Sequence, residues 1–475
     1  MRKLPSLAFI TITLMLSANA SHAQSFAPQV LPFIKIQPGT IALTDVKIVD
    51  GTGGAIKEHQ TIVLQKDKIA AVGDAGSVSI PAGATSINCS GKTILPGMVM
   101  MHEHLFYGES AGAWYLGLSM PLSFPMLYLA GGVTTMRTAG TVEPQTDLNI
   151  KNWIGQGKMT GPDIDVTAPY IEREGFPVPE ILFIHSPEEA VKLVNYWADM
   201  GCTSFKVYQD ITRADLQAVV KAAHARRLKV TGHLCSLTYR EAAEIGIDNL
   251  EHGFMASTDF DNSKKEDACS SNQRKSLLQL DVNSPAMKAL MQLLIDKKVA
   301  LTSTLPVFEP YSGREVFPGG AENAMAQPIK EAVEKGYNIS VSRDSSTWVL
   351  YKKELLWEKR FVEMGGRLMA GVDPTGAGRV IPGYADRHSL ELLVEAGFSF
   401  SEAVKICSMN AAVYLGREKE IGSIAVGKMA DLVLVEGDPE KNIRDIRNTE
   451  LVFKKGVGFD SKKLFDAVKG KVGLN

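Results

Sequence analysis

Apolar and polar residues alternate in two stretches, one near each end of the chain. The first spans about residues 40–93, and Gly, Asp and Lys interrupt its short apolar runs. The second includes residues 422–435 and 451–453. Short alternating runs with turn residues between them predict β-hairpins. We therefore expect the two chain ends to pair into one small β-sandwich domain.

The pattern changes between these two stretches, where short apolar runs alternate with longer segments of helical period. Segments typical of buried strands alternate with helical segments, among them 133–137, 188–200, 203–208, 215–227, 229–232, 299–304 and 367–372. Repeated β-then-α units predict a parallel α/β fold, either a (β/α)8 barrel or a doubly wound sheet. The mostly polar stretch 257–284 predicts an insertion loop.

Composition excludes several classes of protein. The 475 residues carry a net charge of −2, with 22% charged and 45% hydrophobic residues. A disordered chain would be less hydrophobic and more highly charged. A nucleic-acid-binding protein would usually show a basic excess. We therefore expect a folded protein that does not bind nucleic acid.

The first 23 residues have the pattern of a secretory signal peptide. Arg2 and Lys3 precede an apolar stretch, and small residues follow at 18–20 and 21–23. This order predicts cleavage after Ala23 or Ala20. The apolar stretch is shorter than the roughly 20 residues of a membrane-spanning helix. We expect a periplasmic or secreted protein that has no membrane contact after cleavage.

The five cysteines are too sparse for a disulfide scaffold. Four of them lie among apolar or strand-like residues and are interpreted as buried small hydrophobic residues: Cys89, Cys202, Cys235 and Cys407. The fifth, Cys269, lies in a polar stretch and is expected to be exposed.

Two strand-like segments carry polar side chains on one face. His102 and His104 are two residues apart, so in a strand both imidazoles point the same way, as metal ligands such as those of zinc do. Lys206 and Tyr208 share a face of the apolar segment 203–208. A buried lysine cation is costly, so Lys206 must be paired, neutral or modified.

Three further polar residues end short apolar segments: His233, His252 and Asp373. Singly, each has an ordinary explanation, as a hydrogen-bonded core histidine or a turn-forming aspartate. In a (β/α)8 barrel, however, the carboxyl ends of the strands meet at one mouth. Four histidines, one lysine and one aspartate at such ends therefore predict a shared site.

The ordered set of motifs resembles the amidohydrolase superfamily, in its imidazolonepropionase-like and Xaa-Pro dipeptidase (prolidase-like) branch. The resemblance covers roughly residues 40–440. It is carried by the segments 95–104, 205–208, 231–233, 250–253, 370–373, 391–397 and 422–433. It implies a (β/α)8 TIM-like barrel over residues 94–415. It also implies a β-sandwich domain built from residues 24–93 and 416–475.

The resemblance further implies a binuclear metal site. His102 and His104 would hold the more buried metal with Asp373, and His233 and His252 would hold the second. Lys206 would carry a carbamate, formed with carbon dioxide, that bridges both metals. A bridging hydroxide would attack the scissile carbonyl, and Asp373 would pass its proton to the leaving amine. Two Zn²⁺ ions suit these ligands best, although Mn²⁺, Co²⁺ and Fe²⁺ are also compatible.

The expected activity is hydrolysis of an amide or peptide bond in a small molecule or short peptide, as in a dipeptidase or carboxypeptidase. The alternatives are a mononuclear deaminase, a cyclic-amide hydrolase or a lactonase of the same superfamily, and an inactive binding module. Lys206 favours two metals over one. Tyr208 and His388 are weaker candidates for substrate contact, and the oligomeric state, including a homo-oligomer, is left open.

Overall fold

The computed structural model describes residues 25–111, 114–176, 178, 180–341, 346–375 and 378–473. The predicted signal peptide, residues 1–23, lies outside the described residues. The predicted boundaries of the two domains stay predictions.

Nineteen strands are described along the chain. They are β1 (Ile34–Ile36), β2 (Thr40–Ile48), β3 (Lys57–Gln65), β4 (Lys68–Asp74), β5 (Thr85–Asn88), β6 (Lys92–Pro96), β7 (Met98–Glu103), β8 (Phe106–Ala111), β9 (Trp114–Ser119), β10 (Val133–Thr138), β11 (Asp163–Asp165), β12 (Ser204–Val207), β13 (Lys229–Gly232), β14 (Asn249–Glu251), β15 (Ala300–Ser303), β16 (Leu368–Ala370), β17 (Leu432–Glu436), β18 (Thr449–Lys454) and β19 (Val457–Asp460).

Fourteen α-helices are described between and after these strands. They are α1 (Ser123–Ala130), α2 (Pro144–Gly155), α3 (Pro187–Met200), α4 (Arg213–Ala225), α5 (Tyr239–Ile245), α6 (Gln273–Gln279), α7 (Pro285–Asp296), α8 (Leu305–Phe308), α9 (Gln327–Val341), α10 (Ser346–Glu363), α11 (Tyr384–Glu395), α12 (Phe400–Ile406), α13 (Met409–Tyr414) and α14 (Ser461–Val468).

The sequence specifies several helix starts through side chains that cap the first turn. Thr212 and Asp215 form a reciprocal capping box at the start of α4, and Thr238 and Glu241 form another at α5. Such caps satisfy backbone N–H groups that have no partner within the helix. They fix where each helix begins after the preceding strand.

The middle of the chain forms two parallel sheets, as the alternation of strands and helices predicted. One has the order β11-β10-β7 and the other β12-β13-β14-β15-β16. The segment after β11 contacts β12 through parallel bridges, among them the one between Thr167 and Ser204. On the other side, the Asp373 N–H beyond β16 donates a hydrogen bond of 2.9 Å to the His102 carbonyl on β7. Closure of the eight strands into a (β/α)8 barrel stays a prediction.

Strands from the two chain ends pair with each other. They form a nine-stranded sheet of order β1-β19-β18-β17-β6-β2-β3-β4, with β5 paired to β2. Its apolar core includes Leu43, Ile62, Leu432 and Phe453, all buried. The expected pairing of the chain ends is therefore present. The pairing pattern gives one sheet and does not confirm the predicted sandwich of two facing layers.

The largest apolar core lies between the parallel strands and the helices that follow them. Buried residues such as Phe205, Leu250 and Leu301 belong to it. Burying one such side chain contributes about 1.5–3 kcal/mol. This packing fixes the strands, and with them the positions of the polar residues at their ends.

The insertion loop is joined to the parallel sheet by a disulfide. Cys235, three residues after β13, pairs with Cys269. Cys235 is buried, as expected, but the disulfide was not predicted, because a partner 34 residues away in a polar loop leaves no local signal. Cys89, Cys202 and Cys407 are free and buried, as expected.

Within the residues that the structure describes, every helix is too short or too polar to span a membrane.

Candidate functional site

All six residues predicted to share a site line one cavity, with a volume of about 330 Å³. They are His102, His104, Lys206, His233, His252 and Asp373. Each lies at or just beyond the end of a parallel strand. The tightest group consists of His102, His252 and Asp373, whose ligand atoms lie within 4.8 Å of one another.

The two histidines at the end of β7 are each held through the Nδ1 atom. Nδ1 of His102 lies 2.7 Å from Oε2 of Glu251, and Nδ1 of His104 lies 3.1 Å from the carbonyl oxygen of Gly140. Each Nε2 faces Asp373, at 3.7 Å for His102 and 3.5 Å for His104. Partners on Nδ1 therefore orient both rings so that the Nε2 atoms, which face Asp373, are the ones available to a metal.

Lys206 is fully buried on β12, and its ammonium has no carboxylate within 4.0 Å among the described residues. Its Nζ lies 3.4 Å from Nε2 of His102 and 5.3 Å from the centre of the Tyr208 ring. A buried, unpaired ammonium is unfavourable. The burial of Lys206 on this strand is thus the unfavourable situation that its place in an apolar segment predicted.

His233 and His252 lie beside each other beyond neighbouring strands. Their ring centres are 4.3 Å apart, and the His252 ring lies 4.7 Å from that of His102. Nδ1 of His252 lies 2.8 Å from the Thr304 hydroxyl. These contacts make the four imidazoles one continuous group along the floor of the cavity.

The pKa values of the four cavity histidines and of Asp373 favour neutral imidazoles and an ionised carboxylate, which are the forms that bind metals. Burial, with the nearby Lys206, lowers the pKa of His102 to about 4, and burial with the nearby His102 lowers the pKa of His252 to about 3. Burial also lowers the pKa of His104 and His233. Burial opposes ionisation of Asp373, but the surrounding His102 and His104 hold its pKa well below the usual range.

A buried ion pair supports this group from below. Glu251 accepts hydrogen bonds from Arg137 at 2.6 Å and from the Thr231 hydroxyl, while its other oxygen faces His102. Burial raises the pKa of a carboxyl group, but Arg137 and His102 hold the pKa of Glu251 well below its usual range. Glu251 therefore orients His102 as a carboxylate. The sequence analysis missed it, although it directly precedes His252.

Of the two weaker candidates for substrate contact, Tyr208 lines the cavity and His388 does not. Tyr208 lines the cavity, with its ring 5.1 Å from that of His233. His388 is not among the residues that line the cavity and lies in a buried ionic cluster, 2.6 Å from Glu309 and 2.9 Å from Glu391. Both ring nitrogens of His388 are thus engaged, and its contact with substrate stays a prediction.

The remaining cavity walls were not predicted. They come from β8 and β9, from loops after β10, β11 and β16, and from the segment 307–311, and consist of Phe106, Gly117, Val142, Tyr170, Phe176, Val178, Ile181, Val307, Tyr311 and Thr375. Loop residues of this kind give no periodic signal, and only the tertiary fold brings them to the cavity.

The donor set fits divalent metal ions. Neutral imidazoles and an ionised carboxylate are the forms that coordinate metals such as Zn²⁺. Lys206 is the one member of the group that must lose a proton before its nitrogen can act as a ligand.

A family model for the amidohydrolase family matches residues 93–458, which is more than half of the chain. The chain belongs to the amidohydrolase family.

Two curated relatives match over short stretches. The enamidase of Eubacterium barkeri is 33% identical over 96 residues, which is 20% of this chain and 24% of that enzyme. The imidazolonepropionase of Symbiobacterium thermophilum is 28% identical over 114 residues, 24% of this chain and 26% of that enzyme. The chain thus spans about a quarter of these relatives.

Solved structures extend the similarity in fold to most of the chain. A protein assigned as a prolidase from Bifidobacterium longum aligns with a TM-score of 0.67 at 24% identity, over 90% of this chain and 99% of that one. A Xaa-Pro dipeptidase with methionine bound in its active site aligns with a TM-score of 0.65 at 20% identity, over 89% and 100%. These neighbours imply that the parallel α/β domain of this amidohydrolase is TIM-barrel-like.

Proposed function

We propose that this amidohydrolase is a binuclear metal hydrolase that cleaves an amide or peptide bond in a small molecule or short peptide. The observation that carries the proposal is the convergence of six potential ligands in one cavity, with the imidazoles neutral and Asp373 ionised. The fold similarity to a Xaa-Pro dipeptidase supports the same class of reaction.

The proposed ligands divide into two sets. His102, His104 and Asp373 would hold one metal, since both Nε2 atoms face the aspartate. His233 and His252 would hold the other. Two Zn²⁺ ions suit this mixture of nitrogen and oxygen donors. A bound divalent metal supplies a water nucleophile at neutral pH and polarises the scissile carbonyl.

Lys206 would complete both sets as a carbamate. Burial lowers the pKa of Lys206 to about 8, which increases the fraction of neutral amine at neutral pH. The neutral Nζ attacks carbon dioxide, an N–C bond forms and the amine loses a proton to solvent. The product is an anion with two oxygen donors. The modification would replace an unpaired buried cation with a charge that suits neighbouring metal ions.

Asp373 is the proposed proton carrier. It accepts a hydrogen bond of 2.7 Å from the Thr375 hydroxyl on Oδ1, which orients the carboxylate at the cavity wall. From this position it would take the proton of the attacking water and deliver it to the leaving amine. Tyr208, which lines the cavity with its ring 5.3 Å from Nζ of Lys206, would contact the substrate.

A second candidate is hydrolysis of a cyclic amide at a single metal. The local similarity to imidazolonepropionase favours it, and His102, His252 and Asp373 alone form a compact three-ligand group. A deaminase or lactonase would use the same groups. The number of metals per chain separates these candidates from the binuclear hydrolase, because only the latter needs Lys206.

The metal content of the purified protein, dialysed without chelator, tests the proposal. We expect about two metals per chain by elemental analysis, and fewer in Lys206→Ala. The matched control is Lys229→Ala, since Lys229 lies on the adjacent strand but bonds to the Tyr414 carbonyl outside the cavity. One metal in both lysine variants and the wild type would favour the second candidate. No metal after zinc and bicarbonate are supplied would contradict both.

We also infer that the protein is exported. The signal-like residues 1–23 motivate this inference, and the Cys235–Cys269 disulfide supports it, because disulfides persist in oxidising compartments. N-terminal sequencing of protein from a periplasmic or secreted fraction should give Ser21 or Gln24 as the first residue. A chain that begins at Met1 would contradict export.

A further inference from the structure

One side of the cavity is a continuous apolar and aromatic surface, which we call the apolar wall. It consists of Val142, Tyr170, Phe176, Val178, Ile181 and Tyr208. The Tyr208 ring lies 5.0 Å from that of Tyr170 and 4.8 Å from that of Phe176. Because Tyr208 also packs on His233, the wall borders the proposed metal ligands directly.

The loop that carries three of the six wall residues, Phe176, Val178 and Ile181, is held at its base. Glu172 and Phe183 form a parallel bridge, and the Ile184 N–H donates to the Glu172 carbonyl at 2.9 Å. The Glu172 carboxylate accepts the Gln209 N–H at 2.7 Å, which joins the loop to the end of β12. The wall is thus built before a ligand arrives, and little conformational entropy would be lost on binding.

Gly140 leaves room for the ring of Tyr170, one of the wall residues. Gly140 has a φ of 93°, and a Cβ atom at this position would lie 2.6 Å from the Tyr170 ring. Tyr170 can therefore pack against the chain just beyond β10, beside His104, whose ring centre is 6.3 Å away.

The wall offers no partner for a charged substituent. Among the described cavity-lining residues, Lys206 and Asp373 carry the only formal charges, and both belong to the proposed metal centre. Arg173 in the same loop is paired with Asp215 at 2.8 Å. Glu180 accepts the Gly117 N–H at 3.3 Å and does not line the cavity. A charged substituent placed against these six side chains would therefore lose its hydration without gaining an ion pair from them.

We propose that the apolar wall selects amide or peptide substrates with an uncharged aromatic or branched aliphatic substituent next to the scissile bond. This inference rests on the proposed metal-centred function, because the metal centre fixes the scissile bond beside Tyr208. It excludes acidic and basic substituents at the same position.

Three hydroxamic acids that share a metal-binding group test the proposal on the zinc-loaded protein. They are acetohydroxamic acid, 3-phenylpropanohydroxamic acid and succinic monohydroxamic acid, and their dissociation constants are measured by calorimetry. The second and third have arms of equal length that end in a phenyl ring or a carboxylate. We expect the phenyl compound to bind about 30-fold more tightly than acetohydroxamic acid, since about 2 kcal/mol follows from burying a ring. The succinic compound should bind no more tightly than acetohydroxamic acid.

Two substitutions in the same loop locate the effect. Ile181 is buried in the wall and its neighbour Leu182 is 69% exposed. Ile181→Asp should remove the preference for the phenyl compound and leave binding of acetohydroxamic acid intact. Leu182→Asp is the matched control and should bind all three compounds as the wild type does. Phe176→Ala, with thermal unfolding of each variant, provides a milder change if Ile181→Asp does not fold.

The outcomes separate the inference from the function on which it rests. Tight binding of acetohydroxamic acid without a gain from the phenyl ring would overturn the inference and leave the metal-centred function standing. A phenyl preference that persists in both Ile181→Asp and Phe176→Ala would also overturn it. Failure of all three compounds to bind would contradict the metal-centred function and the inference together.

Discussion

His388 is expected to be a cation in the folded protein at neutral pH, and its charge is expected to stabilise the fold. Its Nε2 lies 2.6 Å from Glu309 and its Nδ1 lies 2.9 Å from Glu391. Both nitrogens face carboxylates, so both must donate, and only the imidazolium can do so. Burial opposes this charge, but Glu309 and Glu391 raise the pKa of His388 to about 9. The ordinary value for histidine is about 6.5.

The difference in pKa sets the size of the effect. A shift of about 2.5 pKa units corresponds to about 3 kcal/mol of unfolding free energy. Because the pKa is raised in the folded state, this stability is fully present below about pH 6.5. It is lost progressively as the pH rises from about 6.5 to 9. Burial opposes ionisation of Glu391, but Arg447, 2.6 Å away, and His388 lower the pKa of that carboxyl group to about 2. Arg314 lies 3.0 Å from Glu309.

The assay is urea unfolding of the wild type and His388→Gln at several pH values between 6 and 9. The stability of the wild type over the variant should shrink by about 3 kcal/mol as the pH rises through this range. His185→Gln, at an exposed histidine, is the control and should follow the wild type. Parallel loss of stability in the wild type and His388→Gln would refute the assignment of a buried imidazolium.

Three further predictions concern the site and the loop beside it. Lys206→Ala should lower kcat/KM for any amide substrate by at least about 100-fold, because groups that only orient metal ligands already contribute about 10–100-fold and Lys206 is proposed as a direct ligand. Activity near that of the wild type would contradict the carbamate. Asp373→Asn should retain most of the metal, measured by elemental analysis, but lose kcat by about 100-fold or more, because the proton acceptor is gone; an unchanged kcat would exclude this role. Cys235→Ser should lower the unfolding free energy by about 4 kcal/mol, because the disulfide closes a loop with a sequence separation of 34. Denaturant titrations under oxidising conditions measure this loss, and an unchanged midpoint would show that the bond does not form.

Strand-end residues could be predicted from the sequence because periodicity locates the strands. His102 and His104 end β7, Lys206 lies near the end of β12, and Asp373 lies beyond β16. In a (β/α)8 barrel the carboxyl ends of all the strands meet at one mouth, and this expectation placed the side chains together although β7 lies in one parallel sheet and β12 and β16 in the other. The pairing of the two chain ends in one sheet followed from the same kind of pattern.

Contacts between distant segments could not be predicted in this way. Cys235 and Cys269 have different local environments, and the sequence of one does not specify the other. Arg137 and Glu251 lie on separate strands and meet only after folding. His388 lies one turn from the start of α11, a position that suited a cavity residue equally well, and only the approach of Glu309 gives it another role.

Two of the six proposed ligands have backbone conformations that most residues avoid. His252 has a φ of 68° and Asp373 a φ of 51°. Left-handed backbone at a residue other than glycine costs on the order of 1–3 kcal/mol and often marks a functional site. The surrounding structure maintains it at Asp373 through the bond from its N–H to the His102 carbonyl and the bond from the Thr375 hydroxyl.

This conformation also makes Asn the appropriate replacement at position 373. Asn and Asp are the residues that tolerate left-handed backbone best after glycine. The Asn side chain keeps the size of Asp and an oxygen that can accept the Thr375 hydroxyl bond. It lacks the negative charge that His102 and His104 stabilise. A loss of turnover in Asp373→Asn would therefore report the missing proton acceptor, whereas Asp373→Ala would combine that loss with a backbone that alanine disfavours.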